Sequence, residues 1–405
     1  MKKRYRLLSA AIFFLILGIA QRKLLPNPYV WNFTFLSWAV TCAFLVIIVR
    51  KAVAQYFLIG AASLFFALFA AETLFGLGFE QTGQEAKPRN VPIEDIRADK
   101  QDPELLPFNA NLIKRDPELG YRPKPEKARV ASRHSLDGKI ISDVLYTFDE
   151  QGRRITPSRS AAKNAVAVFG CSVAFGLGLN DSESIPYVLG QVLGTNWQVY
   201  NLAYSGYGAH QMLAQIQGGV LDAIVPEYER VEVIFLTIPS HETRSAGEAG
   251  WDQYGPWYVL ENGRAARKGN FTDRPRRAFP VLEKIMRDSL VFQRLFRPPA
   301  MDQDEAITLH AAIIAEADIE LNKRYGIRIK TALWPGAPFG AELARRNVPL
   351  VDLYSAFPED MLLPPDQASG HNLGLTGENL LFMDNHPNAK AAKYAAQGLA
   401  DSLVK

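Results

Sequence analysis

A serine follows an apolar run near the middle of the chain, where it could act as a nucleophile. Residues 165–169 predict a buried strand, and Cys171 and Ser172 come just after it. Ser172 alone would equally suit a helix cap or a turn. Near the other end, Asp384 precedes His386 by two residues, so both side chains share one side of an extended segment. This pattern predicts a triad in which Asp384 orients His386 and His386 takes the Ser172 proton.

The elements that must position this chemistry alternate between strands and helices beyond residue 161. Strands are predicted at 165–169, 198–202, 231–238, 327–333 and 350–353, and helices at 186–193, 209–218, 304–325 and 387–404. Such alternation is typical of a parallel sheet covered by helices on both faces. Sites in these sheets lie at the carboxyl ends of the strands, which is where Ser172 falls. Gly206 follows the second strand, where its N–H could face an oxyanion.

Three sequence blocks together resemble the SGNH/GDSL hydrolases, over a region from about residue 165 to the end. The matching residues are Gly170, Ser172, Phe175, Gly176 and Gly178 in the first block, Asn201, Ala203, Ser205 and Gly206 in the second, and Asp384, His386, Pro387 and Asn388 in the last. In the first block, Cys171 stands where the family usually has an aspartate. The resemblance implies a flavodoxin-like three-layer α/β/α domain. It also implies ester chemistry at Ser172, His386 and Asp384 without a cofactor or a metal.

The third block of that family, Gly-x-Asn-Asp, is missing here. By position, Ser240 replaces the asparagine that helps to bind the oxyanion, and His241 replaces the aspartate. We therefore expect an oxyanion hole made of the Ser172 and Gly206 N–H groups, with Ser240 or His241 as a further donor. His241 would equally suit a core histidine. If both side chains point into the core, a non-catalytic role for the domain gains weight.

Other interpretations of the first block are weaker. Cys171 is the more reactive atom at neutral pH, but consecutive residues after a strand alternate faces, so one of the pair is expected to be buried. The GxSxG elbow of α/β-hydrolases does not fit, because Ala174 stands at its last position. The remaining histidines are predicted to be structural or on the surface, namely His134, His210, His310 and His371.

An insertion at about 244–300 interrupts the alternation of strands and helices. It carries Trp251, Tyr254 and Trp257, which could stack on sugar rings or form the core of a small lid. The sequence around Asn262 and Gly263 predicts a hairpin turn in the same insertion.

The N-terminal region, residues 1–79, is predicted to be a membrane anchor. Its apolar segments at about 7–20, 33–49 and 52–71 predict three transmembrane helices, since a span needs about 20 apolar residues. Basic residues before the first segment and at Arg50 and Lys51 favour a cytoplasmic location for those ends. The first segment could instead be a cleaved signal peptide. With three spans or a cleaved signal, everything after about residue 80 would lie in the bacterial periplasm.

Two further regions link the anchor to the hydrolase-like domain at 161–405. Residues 80–115 are polar and contain prolines, which predicts a stalk, and residues 116–160 predict a small β-rich accessory platform. The net charge of +3 gives no reason to expect nucleic acid as a partner. Two cysteines, Cys42 and Cys171, and six histidines without clustered spacing make a disulfide framework or a structural zinc site improbable.

These patterns predict a periplasmic serine esterase, anchored in the inner membrane, that acts on O-acyl esters of envelope glycans, above all O-acetyl esters. Two alternatives stay open. One is an O-acetyltransferase of an envelope polysaccharide, working with a membrane acyl-donor protein. The other is a non-catalytic glycan-binding or assembly module that retains the fold.

Overall fold

The computed structural model describes residues 9–14, 16, 30–49, 52–81, 105–107, 113–125, 127–136, 139–249, 251–252, 254–274, 301–364, 367–368, 373–376, 381 and 385–404. The described residues fall into two compact units. One contains the N-terminal helices, and the other contains the described residues from 105 to 274 and from 301 onward.

In the N-terminal unit, residues 9–14 and 16 are helical, followed by α1 (Val30–Ile48) and α2 (Ala52–Gln81). Within α2, the segment Ala54–Ala71 has a mean hydropathy of 1.8 over 18 residues, which is long and apolar enough to cross a membrane. The apolar part of α1, Thr34–Ile48, is shorter. Among the described residues, one helix thus meets the requirements for a span. The three-span topology stays a prediction, and much of the segment at 7–20 lies outside the described residues.

The second unit is built from the following elements in chain order. They are β1 (Leu105–Pro107), β2 (Ile113–Asp116), β3 (Gly120–Pro123), β4 (Ala128–Leu136), β5 (Lys139–Phe148), β6 (Asn164–Phe169), α3 (Ser172–Phe175), α4 (Ile185–Leu193), β7 (Trp197–Asn201), α5 (Ala209–Gln217), β8 (Arg230–Thr237), α6 (His241–Ser245), β9 (Pro256–Glu261), β10 (Arg264–Asn270), α7 (Gln303–Tyr325), β11 (Ile329–Leu333), α8 (Gly340–Arg345), β12 (Leu350–Asp352) and α9 (Ala389–Val404).

A five-stranded parallel sheet forms the centre of this unit. Its strand order is β12-β11-β8-β6-β7, so the chain starts inside the sheet, adds β7 on one side and then crosses to the other. This is the flavodoxin-like order, in which sites form at the carboxyl ends where the direction of winding changes. Ser172 comes directly after β6, the first strand laid down.

The alternation of side chains along β6 creates two core layers. Val166 and Val168 face a layer that contains α4 and α9, while Ala165, Ala167 and Phe169 face a layer that contains α5 and α7. All five side chains are fully buried, as expected for a strand covered on both faces. The predicted fold class, a three-layer α/β/α domain preceded by a small β region, is confirmed.

The β region before the sheet consists of small, separate pairings. Strands β4 and β5 are antiparallel, with β1 parallel to β4, and the turn between them at 137–138 lies outside the described residues. A second hairpin, β2–β3, was not apparent from the sequence. In the insertion, β9 and β10 pair around Asn262 and Gly263, which have φ angles of 52° and 79°. Positive φ at both positions indicates a type I′ turn, and the predicted hairpin turn is confirmed.

Candidate active site

Ser172 is held by a tight connection between β6 and α3. The chain passes so close to itself that a Cβ on Gly170 would come within 2.6 Å of the Ala174 side chain. Cys171 is fully buried and packs into the core, whereas Ser172 is 6% exposed. The structure therefore puts the thiol into the core and leaves Ser172 to face its partner.

His386 is held on both sides by backbone structure. Before it, Leu381 forms an isolated bridge with Pro387. After it, the Asn388 side chain caps α9 by accepting the N–H groups of Lys390 and Ala391 at 3.0 and 3.1 Å. His386 is thus fixed between a strand-like bridge and a capped helix.

The imidazole of His386 contacts the Ser172 hydroxyl. The distance from Nε2 to Oγ is 2.9 Å, which is within hydrogen-bond range. When the neutral imidazole carries its proton on Nδ1, the serine hydroxyl donates to Nε2, the arrangement needed for general-base activation. Asp384 lies outside the described residues, so its part in the triad stays a prediction.

A buried arginine fixes the turn that follows Ser172. Arg154 donates from Nη1 to the carbonyls of Phe175 and Gly176 at 2.9 and 2.5 Å, and from Nη2 to the carbonyl of Leu179. Its Nε donates to Asp181 Oδ1 at 3.1 Å. Phe175 is the last residue of α3, and its carbonyl lacks a partner within the helix. The carbonyls of Gly176 and Leu179 lie in the turn that follows, so this one side chain binds both the end of the helix and the turn.

The loop after β7 runs beside the serine connection. The Leu202 N–H donates to the Val168 carbonyl at 2.8 Å, and the Tyr204 N–H donates to the Gly170 carbonyl at 3.2 Å. These bonds extend the pairing of the two chain segments past the end of β6. Gly206 follows in a turn with φ of 83°. No hydrogen bond between described residues uses the Gly206 N–H. This amide is therefore free to serve an oxyanion, and that role stays a prediction.

His241 lies in the core, where its ring is fully buried. Thr237 Oγ1 is 3.2 Å from His241 Nδ1 and 3.0 Å from His310 Nε2, and His310 Nδ1 is 2.9 Å from Ser245 Oγ. Burial lowers the pKa of His310 to about 3 and that of His241 well below its ordinary value. Both rings are therefore neutral, and the Thr237 hydroxyl links them by contacting one nitrogen of each ring.

Ser240 occupies a different environment from His241. It is half-buried and has a φ of 82°, which is unusual for a residue other than glycine. Its carbonyl accepts the Thr243 hydroxyl at 2.7 Å. Of the two predicted side-chain donors, Ser240 is the one that stays outside the core, and its role as a donor stays a prediction.

The three predicted aromatic residues have different surroundings. Trp251 is 56% exposed, and its indole N–H donates to the Gly206 carbonyl at 3.2 Å. Tyr254 is 41% exposed and stacks on Arg115, whose Cζ is 3.6 Å from the ring centre. Trp257 is half-buried in strand β9. Of the three, Trp251 is the one that donates a hydrogen bond to the glycine turn.

A buried polar cluster joins the insertion to helix α5. His210 Nε2 is 2.6 Å from Asp252 Oδ2, which also accepts Gln211 Nε2 at 2.6 Å. Gln211 in turn accepts the Gly208 N–H at 2.8 Å. Sequence reasoning found no partner for His210, because Asp252 lies in an insertion without periodicity. This cluster therefore holds Asp252, the residue next to Trp251, in place.

A cavity of about 390 Å³ opens beside the site, between β5, the turn after α3 and the start of α9. Its polar lining includes Ser142, Glu183, Asn388 and Lys390, but neither Ser172 nor His386. The cavity is therefore lined by neither residue of the contact between Ser172 and His386. Within the part of the chain that the structure describes, no cluster of three His, Cys, Asp or Glu side chains is arranged to hold a metal ion.

No protein-family model and no curated protein matches the sequence. Among solved structures, the chain is similar to a member of the lipolytic G-D-S-L family from Veillonella parvula DSM 2008, with 10% identity and a TM-score of 0.34 over 60% of this chain and 99% of that one. A putative lipolytic G-D-S-L protein from Desulfitobacterium hafniense DCB-2 has 16% identity and a TM-score of 0.31, covering 59% and 98%. An acetyl xylan esterase from Butyrivibrio proteoclasticus has 11% identity and a TM-score of 0.32, covering 64% and 66%.

Replacing Arg154 with methionine should strongly destabilise the protein. The change removes the guanidinium donor of three buried carbonyls and of Asp181, and breaking a buried ion pair in this way costs about 3–5 kcal/mol. Denaturant or thermal unfolding of the full chain measures the loss. Arg153→Met is the matched control, because this neighbouring arginine is partly exposed and pairs with Asp149 near the surface. Its expected cost is below about 1 kcal/mol. Equal losses in the two variants would contradict the role assigned to Arg154.

Proposed function

We propose that this chain, which has the SGNH-type hydrolase fold, is a serine esterase that acts on O-acyl esters. The observation that carries the proposal is the 2.9 Å contact between His386 Nε2 and Ser172 Oγ at the carboxyl end of a parallel sheet. In this mechanism Ser172 Oγ attacks the ester carbonyl while its proton passes to His386. His386 then gives the proton to the departing alcohol, and water releases the acyl group by the same route in reverse.

The negative charge of the tetrahedral intermediate needs donors on the opposite side of the carbonyl. We assign this role to the backbone N–H groups of Ser172 and Gly206, with the Ser240 hydroxyl as a further donor. Because His241 is enclosed by Thr237 and the core, we leave it out of this set. Asp384 would orient the imidazole and stabilise its charged form.

For the substrate, we propose an O-acetylated glycan. The exposed indole of Trp251 supports this, because its N–H is bonded to the Gly206 carbonyl and a flat apolar surface is thereby held next to the proposed oxyanion donor. Such a ring can stack on a sugar whose ester enters the site. The surroundings of Tyr254 and Trp257 give less support for direct contact with substrate.

We further propose that the chain is anchored in the bacterial inner membrane with its enzymatic domain in the periplasm. The apolar segment Ala54–Ala71 supports an anchor, and the basic residues that flank the predicted inner turns support the orientation. An enzyme at this place would meet envelope polysaccharides. Transfer of the acyl group to a sugar hydroxyl instead of water would make it an O-acetyltransferase, supplied by a membrane acyl-donor protein.

A fluorophosphonate probe should label the protein at Ser172. The probe reacts with serines that a neighbouring base activates, so labelling should vanish in Ser172→Ala. In-gel fluorescence of the full chain measures the effect. Ser184→Ala is a suitable control, because this serine is fully buried at the start of α4 and should not affect labelling. Absence of labelling in the natural protein would favour the non-catalytic glycan-binding alternative.

The two residues of the last block should contribute unequally to turnover. His386→Ala removes the group that moves the proton, so kcat on p-nitrophenyl acetate should fall by about 10³-fold or more. Asp384→Asn keeps the imidazole and should cost less, because the carboxylate only orients and stabilises it. Steady-state kinetics test the order. A His386→Ala variant as active as the natural protein would exclude the mechanism.

A reporter fused after Lys405 should lie outside the cytoplasm. The expected outcome is active alkaline phosphatase, which folds only in the periplasm, together with a silent cytoplasmic reporter at the same position. The opposite pair of results would disprove the proposed orientation without bearing on the chemistry at Ser172.

A further inference from the structure

Gly206 lies in a β-turn, a structure that has two common forms called type I and type II. Tyr207 N–H donates to the Tyr204 carbonyl at 3.2 Å, which closes a four-residue turn. Gly206 has a φ of 83° while Ser205 is not among the residues of positive φ, so the turn is of type II. Types I and II differ by a rotation of the central peptide through about 180°, and glycine permits both forms. The central peptide here joins Ser205 to Gly206, so the turn type decides where the Gly206 N–H points.

One side chain holds this peptide in a single orientation. The hydroxyl of Tyr121 donates to the Ser205 carbonyl at 2.8 Å. Because a peptide is planar and trans, its C=O and N–H point in opposite directions. A bond that holds the Ser205 carbonyl therefore also directs the Gly206 N–H to the other side. Rotation of the peptide to the type I form would break this bond.

Tyr121 is itself firmly positioned. It lies in β3 of the accessory hairpin, and its carbonyl accepts the Tyr207 hydroxyl at 2.6 Å. Its ring packs edge to face against Tyr207 and Tyr204, with centroid distances of 5.3 and 6.2 Å. The space above the turn is also filled, since a Cβ on Gly206 would lie 2.5 Å from the Tyr121 hydroxyl.

The Tyr121 hydroxyl remains a donor throughout the working pH range of an esterase. Burial raises the pKa of this phenol well above its ordinary value, and the charge of Asp252 adds to the effect. A hydrogen bond to a peptide carbonyl also polarises the N–H of the same peptide, which strengthens it as a donor.

We propose that Tyr121 is a positioning residue of the oxyanion hole: it holds the Ser205–Gly206 peptide in the orientation that presents the Gly206 N–H to the reacting carbonyl. This inference rests on the proposed esterase function. It gives the accessory hairpin a part in catalysis, in which Tyr121 acts through the Ser205–Gly206 peptide and not on the reacting atoms.

The test is Tyr121→Phe in the full chain, which removes the hydroxyl and keeps the ring. Loss of one oxyanion donor costs about 10²–10³-fold in rate, so release of its orientation should lower kcat on p-nitrophenyl acetate by about 10-fold or more. KM should change less than about twofold, because the oxyanion exists only after attack. Affinity for an alkyl boronic acid, which mimics the tetrahedral state, should fall in parallel with kcat.

The matched control is Tyr258→Phe. Tyr258 is also buried, and its hydroxyl donates to Gln217 at 2.9 Å, away from the turn. This variant should keep kcat, KM and boronate affinity. Tyr207→Phe loosens Tyr121 without removing its hydroxyl and should give a smaller fall in kcat at constant KM. The thermal transitions of all three variants identify any general loss of structure.

The outcomes separate this inference from the proposed function. If the natural protein hydrolyses the ester and is labelled at Ser172, but Tyr121→Phe keeps its kcat, the inference is wrong and the esterase function stands. The inference is also wrong if kcat falls by the same factor in Tyr121→Phe and Tyr258→Phe. It is wrong as well if Tyr121→Phe raises KM without lowering kcat. If the natural protein shows neither labelling nor turnover, the proposed function fails first, and the inference fails with it.

Discussion

The residues that follow Ser172 depend on one buried cation. Helix α3 has four residues, too few to pair its own final carbonyls, and the chain then bends through two glycines of positive φ, Gly176 and Gly178. The guanidinium of Arg154 donates hydrogen bonds to the carbonyls of this segment, and the carboxylate of Asp181 balances its positive charge. Its Cζ also lies 4.3 Å from the ring centre of Tyr146, in strand β5. Without this cation, buried carbonyls of the segment after Ser172 would lose hydrogen bonds from a charged donor, which is costly in a protein interior.

The position of Arg154 in the chain gives the accessory region a structural role in the site. Arg154 lies between β5 and β6, and Tyr121 lies in the hairpin before them, yet both act on loops of the central sheet. The sheet and the segment that leads into the last helix supply the two residues in contact, Ser172 and His386. The added segments supply the groups that hold the neighbouring backbone. The Gly206 turn shows the same division. Tyr121 donates to the Ser205 carbonyl and Trp251 donates to the carbonyl of the next residue, Gly206.

Local sequence patterns were sufficient to predict the sheet and the contact between Ser172 and His386. Strands such as β6 are continuous apolar runs because both faces are covered, and the order of the motif blocks predicts that Ser172 and His386 meet. Long-range polar partners could not be predicted in this way. Tyr121 bonds a carbonyl 84 positions away and His210 a carboxylate 42 positions away, and neither separation leaves a periodic signal. The sequence left open whether His241 is an oxyanion donor or a core histidine. Its contacts with Thr237 and His310 place it in the core, and only the folded chain brings these residues together.

Ser172 and His386, the proposed nucleophile and base, are separated by 214 positions along the chain. The sheet around Ser172 is assembled from strands that are synthesised earlier, whereas His386 is brought in by the segment that caps the final helix. Contacts of such high sequence separation form late, because loop closure costs entropy before the contact repays it. The contact between Ser172 and His386 therefore requires that the segment before α9 has packed against the sheet. A molecule in which α9 is detached from the sheet would keep Ser172 at the end of β6 but lose its contact with His386.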